Sequence, residues 1–285
     1  MMTARAHTRR RIVAAIDGAG LSSCVLATAA AATAMFDASV EAVHVVEAGP
    51  EAARARHSAA DAGVVLHELT GPVLPSLVSY VTSPNVVVVV AGASTGPSAD
   101  RPLGKHALAL IAGAQRPMII VPVGATVGAR LHRVLVPLDA SSQTREALTE
   151  VVDLVRAAGV DVIALHVHPY HALPMFTDQP QHEVPAWSDE FLRRYWPGST
   201  QLPRLLHRVG VPSDEIAGAL KETGADLLVL AWNRDLSPGR ARIVARALRE
   251  SKTPLLLLPV EPRRAAINSR DLSGVAYGKA AAAVA

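Results

Sequence analysis

At 285 residues, half of them hydrophobic and 19% charged, the chain is long enough for two compact domains with aliphatic cores. A net charge of +3 makes no case for a nucleic-acid partner, because the basic residues gather at the ends (Arg9 to Arg11, Arg263 and Arg264), where solvated tails account for them. The single cysteine, Cys24, excludes an intramolecular disulfide and fits a reducing compartment.

Met1 to Arg11 is basic and Leu21 to Phe36 is apolar, with Leu21-Ser22-Ser23-Cys24 resembling a lipoprotein cleavage box. Asp17, Gly18 and Gly20 interrupt the two stretches, which argues against an export signal. No apolar run reaches the ~20 residues of a membrane span. The expected location is the cytoplasm, with no membrane partner.

Ile12–Ile16 is a short apolar run expected to form a strand covered on both faces. Leu21–Phe36 is Ala-rich and helical. Val40–Val46 and Val64–Leu69 read as strands, with a short helix between them in the order, and Val73–Val81 as a short helix. Val86–Val90, five consecutive valines, is a central strand. Gly104–Ala114 is helical, with Leu110 and Ile111 inward, and Met118–Val123 closes the unit. This alternation predicts a parallel, doubly wound sheet.

The chain then repeats itself. Asp139 ends a run like the one that Asp17 ends, 122 positions later, and His166-Val167 answers His44-Val45 at the same offset. Pro254 answers Pro117 at an offset of 137, so the second copy carries a net insertion. Ser142–Ala158 is an amphipathic helix stopped by Gly159. Val162–His168 is the next strand. The segment 169–203, rich in proline, reads as an expanded connection, and Trp187, Phe191, Tyr195 and Trp196 within it as a satellite core. Ser213 reads as the cap of a helix running to Thr223, assisted by Asp214 and Glu215. Leu227–Leu230 corresponds to the valine strand. Arg240–Glu250 reads as a helix burying Ile243, Val244, Ala247 and Leu248 and exposing Arg242, Arg246 and Arg249. The expected units are 9–123 and 131–260, joined by 124–130, with 261–285 a disordered tail.

In an open parallel sheet, ligands sit beyond the carboxyl ends of the strands, where strand order reverses. Asp17 and Asp139 end the first strands. Gly92-Ala93-Ser94-Thr95-Gly96 follows the valine strand and leads to Gly104-Lys105 at a helix start. Glycines let backbone N–H groups approach an anion, and a helix N-terminus adds its own free N–H groups.

At these residues the chain resembles the universal stress protein family in its tandem form, over both copies. That resemblance implies two doubly wound α/β domains with five-stranded parallel sheets, adenine nucleotide alpha hydrolase-like, facing each other through their closing strands as an intramolecular pseudo-dimer. Family members that bind ATP use Gly, two residues, Gly, nine residues, then Gly with Ser or Thr, and set the strand-one Asp and the Val after the strand-two His around adenosine. Carried over, this nominates Asp17, Val45, Gly92, Gly96, Gly104 and Lys105 for an adenine nucleotide in the first copy. The pattern is altered here: Ala93 stands three before Gly96, seven residues separate Gly96 from Gly104, and Lys105 replaces the hydroxyl residue. The second copy departs further, with Ala231-Trp232-Asn233 and Ala241-Arg242 in place of the glycines. Arg234, Arg240 and Arg242 there read as a solvated basic face.

Other chemistries find less in the sequence. The spacing of Gly96 and Gly104-Lys105-His106 is not that of a P-loop, and no Gly-x-Gly-x-x-Gly follows either first strand. His166, His168 and His171 form a candidate metal triad, set against His166 repeating the fold position of His44. Ser22, Ser23 and Cys24 lack spaced His and acid partners. Three functions stand: a stress-linked regulatory module that binds ATP without rapid turnover and is not an enzyme; a nucleotide-free interaction protein with an unknown protein partner; and a weak ATPase. A further homodimer is compatible with each.

Overall fold

The computed structural model describes residues 9–93, 105–139, 142–168, 180–197, 199, 201–232 and 242–260. The first copy runs β1 (Arg11–Ala15), α1 (Ser22–Ala31), α2 (Thr33–Phe36), β2 (Ser39–Val45), α3 (Glu51–Asp61), β3 (Leu66–Leu69), α4 (Val73–Val81), β4 (Val86–Gly92), α5 (Lys105–Ala114) and β5 (Met118–Val121). The second runs β6 (Arg133–Pro137), α6 (Ser142–Ala157), β7 (Asp161–His168), α7 (Pro180–Tyr195), β8 (Arg204–Val209), α8 (Pro212–Thr223), β9 (Leu227–Trp232), α9 (Arg242–Glu250) and β10 (Leu255–Pro259).

All ten strands lie in one sheet of order β3-β2-β1-β4-β5-β10-β9-β6-β7-β8. Each copy contributes five parallel strands in the order 3-2-1-4-5, and the copies meet where β5 pairs antiparallel with β10, Ile119 opposite Leu256. The doubly wound class and the pairing of closing strands are thus as expected. The valine strand and its equivalents carry the centre because β-branched side chains tolerate burial on both faces of a parallel sheet. One face is covered by α1, α2, α3, α6 and α7, the other by α4, α5, α8 and α9, and the apolar cluster on each face contains residues of both copies.

Several elements depart from the sequence expectation. The Leu21–Phe36 helix is broken at Ala32 into two, ending with Asp37 at φ 46. The unplaced short helix between the second and third strands is the eleven-residue α3. Much of the proline-rich connection is helix α7, with Pro180 at its first position, where the missing N–H costs nothing. Phe191, Tyr195 and Trp196 belong to the main core of their face rather than to a satellite. Ser213 does not cap α8: the N-cap is Val211 with Pro212 behind it, and the Ser213 hydroxyl accepts a hydrogen bond from Arg246 instead. Asp214 and Glu215 do occupy the first turn, near its positive end. Residues 240, 241 and 261–285 lie outside the described residues, as does His171.

At the amino ends of the first copy's strands, Glu41 is buried at 8% exposure. Arg11 Nη1 donates to both its oxygens, at 2.7 and 2.9 Å, and Arg11 Nη2 donates to Asn85 Oδ1 at 2.8 Å. The Tyr80 hydroxyl donates to Glu41 Oε1 at 2.9 Å. Burial first, and then the Glu41 hydrogen bond and charge, push the Tyr80 phenol up to about 12. A group whose folded value is raised holds its stabilisation below the unfolded value of 10.0 and loses it as pH climbs to about 12. Tyr80→Phe is therefore expected to cost about 1 kcal/mol at neutral pH. It should also remove a tyrosine step at about pH 12 from an absorbance titration. Survival of that step in the variant would contradict the network.

Candidate functional site

Strand order in the first copy reverses between β1 and β4, which makes their carboxyl tips the natural ligand crevice. Ala15 pairs with Val43 on β2 and with Ala91 on β4. Carried two residues further, that register sets Asp17 beside Val45 on one side and Ala93 on the other. Neighbouring strands are ~4.8 Å apart, so the three tips are adjacent.

Asp17 is exposed, and its Oδ1 accepts hydrogen bonds from the Ala19 amide at 2.8 Å and the Ser22 hydroxyl at 3.5 Å. One oxygen therefore shapes the turn into α1, while among the described residues the other has no partner. Val45 is buried, on the sheet face that packs against α4 and α5. Gly92 lies on the opposite face, where a Cβ would meet Leu21 Cδ1 at 3.1 Å and Val25 Cγ2 at 3.6 Å. The space left by its missing side chain is filled from α1. The Ala93 amide donates to the Val121 carbonyl at 2.8 Å. Lys105 is the first residue of α5. Gly96 and Gly104 lie outside the described residues.

Sequence reasoning missed Arg54 and Gly18. Arg54 reaches from α3 to donate from Nε to the Gly18 carbonyl at 2.8 Å, with its Nη2 on Glu51 Oε1 at 2.7 Å. Gly18 has φ +72, and a Cβ there would lie 2.1 Å from the Glu51 carbonyl oxygen. Helix α3 thus presses directly on the turn that carries Asp17. The only sequence signal was Gly18 itself, directly after the strand-ending aspartate.

The second copy repeats the frame and changes the filling. His44 Nδ1 donates to the Ile16 carbonyl at 2.9 Å and His166 Nδ1 to the Leu138 carbonyl at 3.0 Å, so these histidines tie the second strand to the first in both copies. The fold-position reading of His166 holds. By the register of β6 with β7 and β9, Asp139 stands beside Val167 and Trp232. Trp232 occupies the position of Ala93 and is 5% exposed, packed in the core of its face. Groups of three or more His, Cys, Asp or Glu able to hold a metal are absent among the described residues. Nor does any helix there have the length and apolarity to cross a membrane.

This sheet order, with an aspartate at each first-strand tip, defines the doubly wound α/β class that receives ligands at its strand-order reversal. Residues 130–259 match the model of the universal stress protein family, and the second copy belongs to it. Over both copies the fold is shared with solved structures. A universal stress protein from Archaeoglobus fulgidus DSM 4304 is 15% identical with a TM-score of 0.63, covering 88% of this chain and 99% of its own. A protein from Pseudomonas aeruginosa UCBPP-PA14, assigned to the universal stress proteins, is 13% identical with a TM-score of 0.60, over 89% of this chain and 94% of its own. No curated protein matches the sequence.

Proposed function

We propose that the chain is a stress-linked regulatory module whose first unit, residues 9–123, holds an adenine nucleotide without rapid turnover, while the second, 131–260, is its structural or signalling partner. The observation that carries this is the contrast at the strand-order reversal. Asp17 is flanked by Val45 and the small Ala93, whereas Asp139 is flanked by Val167 and the indole of Trp232. In this reading Asp17 and Val45 contact the nucleoside. The backbone at Gly92, Gly96 and Gly104 and the start of α5 at Lys105 take the phosphates, with the dipole of α5 favouring negative charge.

A specific observation favours the nucleotide-free alternative: Leu21 fills the space at Gly92, and the Ala93 amide is already bonded to Val121. Thermal unfolding with ATP separates the two. At 100 times its dissociation constant, a ligand of the native state adds about 2.7 kcal/mol. Millimolar ATP should raise the melting temperature of the wild type and leave Asp17→Ala unmoved, with no steady release of phosphate. A wild type indifferent to ATP would support the nucleotide-free protein, and phosphate release abolished by Asp17→Ala would support the weak ATPase.

A further inference from the structure

The second copy carries a titratable cluster that the nucleotide reading does not use. His166 and His168 share a face of β7, and His207 on β8 lies beside them in register. The rings of His166 and His168 meet edge to face with centroids 4.4 Å apart, and those of His168 and His207 stack at 5.9 Å. Helix α7 closes over them: Trp187 lies 5.8, 5.5 and 4.9 Å from His166, His168 and His207, and Phe191 lies 4.6 Å from His166. The Ser188 hydroxyl is 2.9 Å from His207 Nε2. In the first copy the place of His207 is held by Glu68, which pairs with Arg56 of α3, so the cluster belongs to the second copy alone.

Among the described residues, the charged groups on the elements packed around it are exposed or bonded to other groups. On α7, Asp189, Glu190, Arg193 and Arg194 are exposed, with Glu190 paired to Arg194. On α6, Arg145 and Asp153 are exposed and Arg156 reaches Ser199 and the Gln201 carbonyl. On β8, Arg204 is exposed and Arg208 pairs with Glu222 of α8, across the sheet. Asp161 pairs with Arg133 at the far end of β7, and exposed Asp139 follows Leu138 at the tip of β6.

We propose that this cluster is an acid-responsive latch, in which proton uptake by His168 and His207 releases α7 from the sheet and uncovers Trp187 and Phe191. Burial first, and then the neighbouring His166, lower His168 below its ordinary 6.5. Burial, then His168 and His166, do the same for His207. Above pH 6.5 both rings are neutral whether α7 is docked or released, so docking is unaffected. Below it, released rings take up protons that docked rings refuse, and the docked state loses about tenfold per pH unit per ring until its own lowered values are reached.

Hydrogen exchange of the full chain, corrected for intrinsic rates, tests this. Protection of the 187–195 amides should fall tenfold or more from pH 7.0 to 5.5, while amides of β6 and β9 keep theirs. The His168→Asn/His207→Gln double variant should show flat protection of α7 over the same range. Constant α7 protection in the wild type, or an equal loss in the double variant, would overturn the latch. Should that double variant fail to fold, His207→Gln alone should halve the logarithm of the loss, and an undiminished loss in it would equally overturn the proposal.

Discussion

Replacing Ile119 with alanine is expected to destabilise both halves together, by about 2–5 kcal/mol. Ile119 is fully buried on β5 and stands opposite Leu256 of β10, where the two five-stranded sheets become one. Its side chain belongs to a core cluster that contains Val88 and Val121 from the first copy and Val229, Leu256 and Leu258 from the second. Helix α2 packs against α6 over the same face, so the junction is held by more than strand pairing. A cavity there is shared by both copies, and calorimetry should show one transition moving as a unit. Two transitions of which only one shifts would mean that the copies unfold independently.

The second large effect is expected at Gly18. Alanine there meets two separate costs. The left-handed backbone disfavours any Cβ by about 1–2 kcal/mol, and this Cβ would lie 2.1 Å from a main-chain oxygen of α3. A backbone carbonyl at the first residue of a helix cannot rotate away without moving the helix. We expect a total loss of about 2–4 kcal/mol together with loss of the Asp17 turn geometry. Gly159 supplies the control, because it has φ +72 as well but nothing within 4 Å of its would-be Cβ. Gly159→Ala should show the backbone cost alone. Equal denaturation midpoints for the two variants would remove the clash from the account.

The sheet was legible because the chain states it twice and because buried parallel strands read as unbroken aliphatic runs. Val73–Val81 matches α4 end for end, and Asp17 and Val45, which the family resemblance alone had placed together, stand side by side by the register of β1 with β2. What lay hidden depends on contacts between distant segments. Helix α7 was masked by its prolines, one of which, Pro185, stands inside the helix, where a proline ordinarily breaks it. With α7 and β8 unassigned, His207 had no strand to bring it to His166 and His168. The sequence nominates Gly92 for a phosphate but does not show which face of the sheet it lies on. The pairing of β1 with β4 shifts register between Arg11 and Ile12, and that offset, which no spacing rule reports, helps decide that Gly92 meets Leu21. Arg54 lies 36 residues from the carbonyl it holds.

Calorimetric titration of ATP into the full chain, its Asp17→Ala variant and its Asp139→Ala variant tests the division between the copies most directly. One site per chain is expected in the wild type, lost with Asp17→Ala and kept with Asp139→Ala. Binding that survives Asp17→Ala and disappears with Asp139→Ala, or an absence of binding in all three, would contradict it.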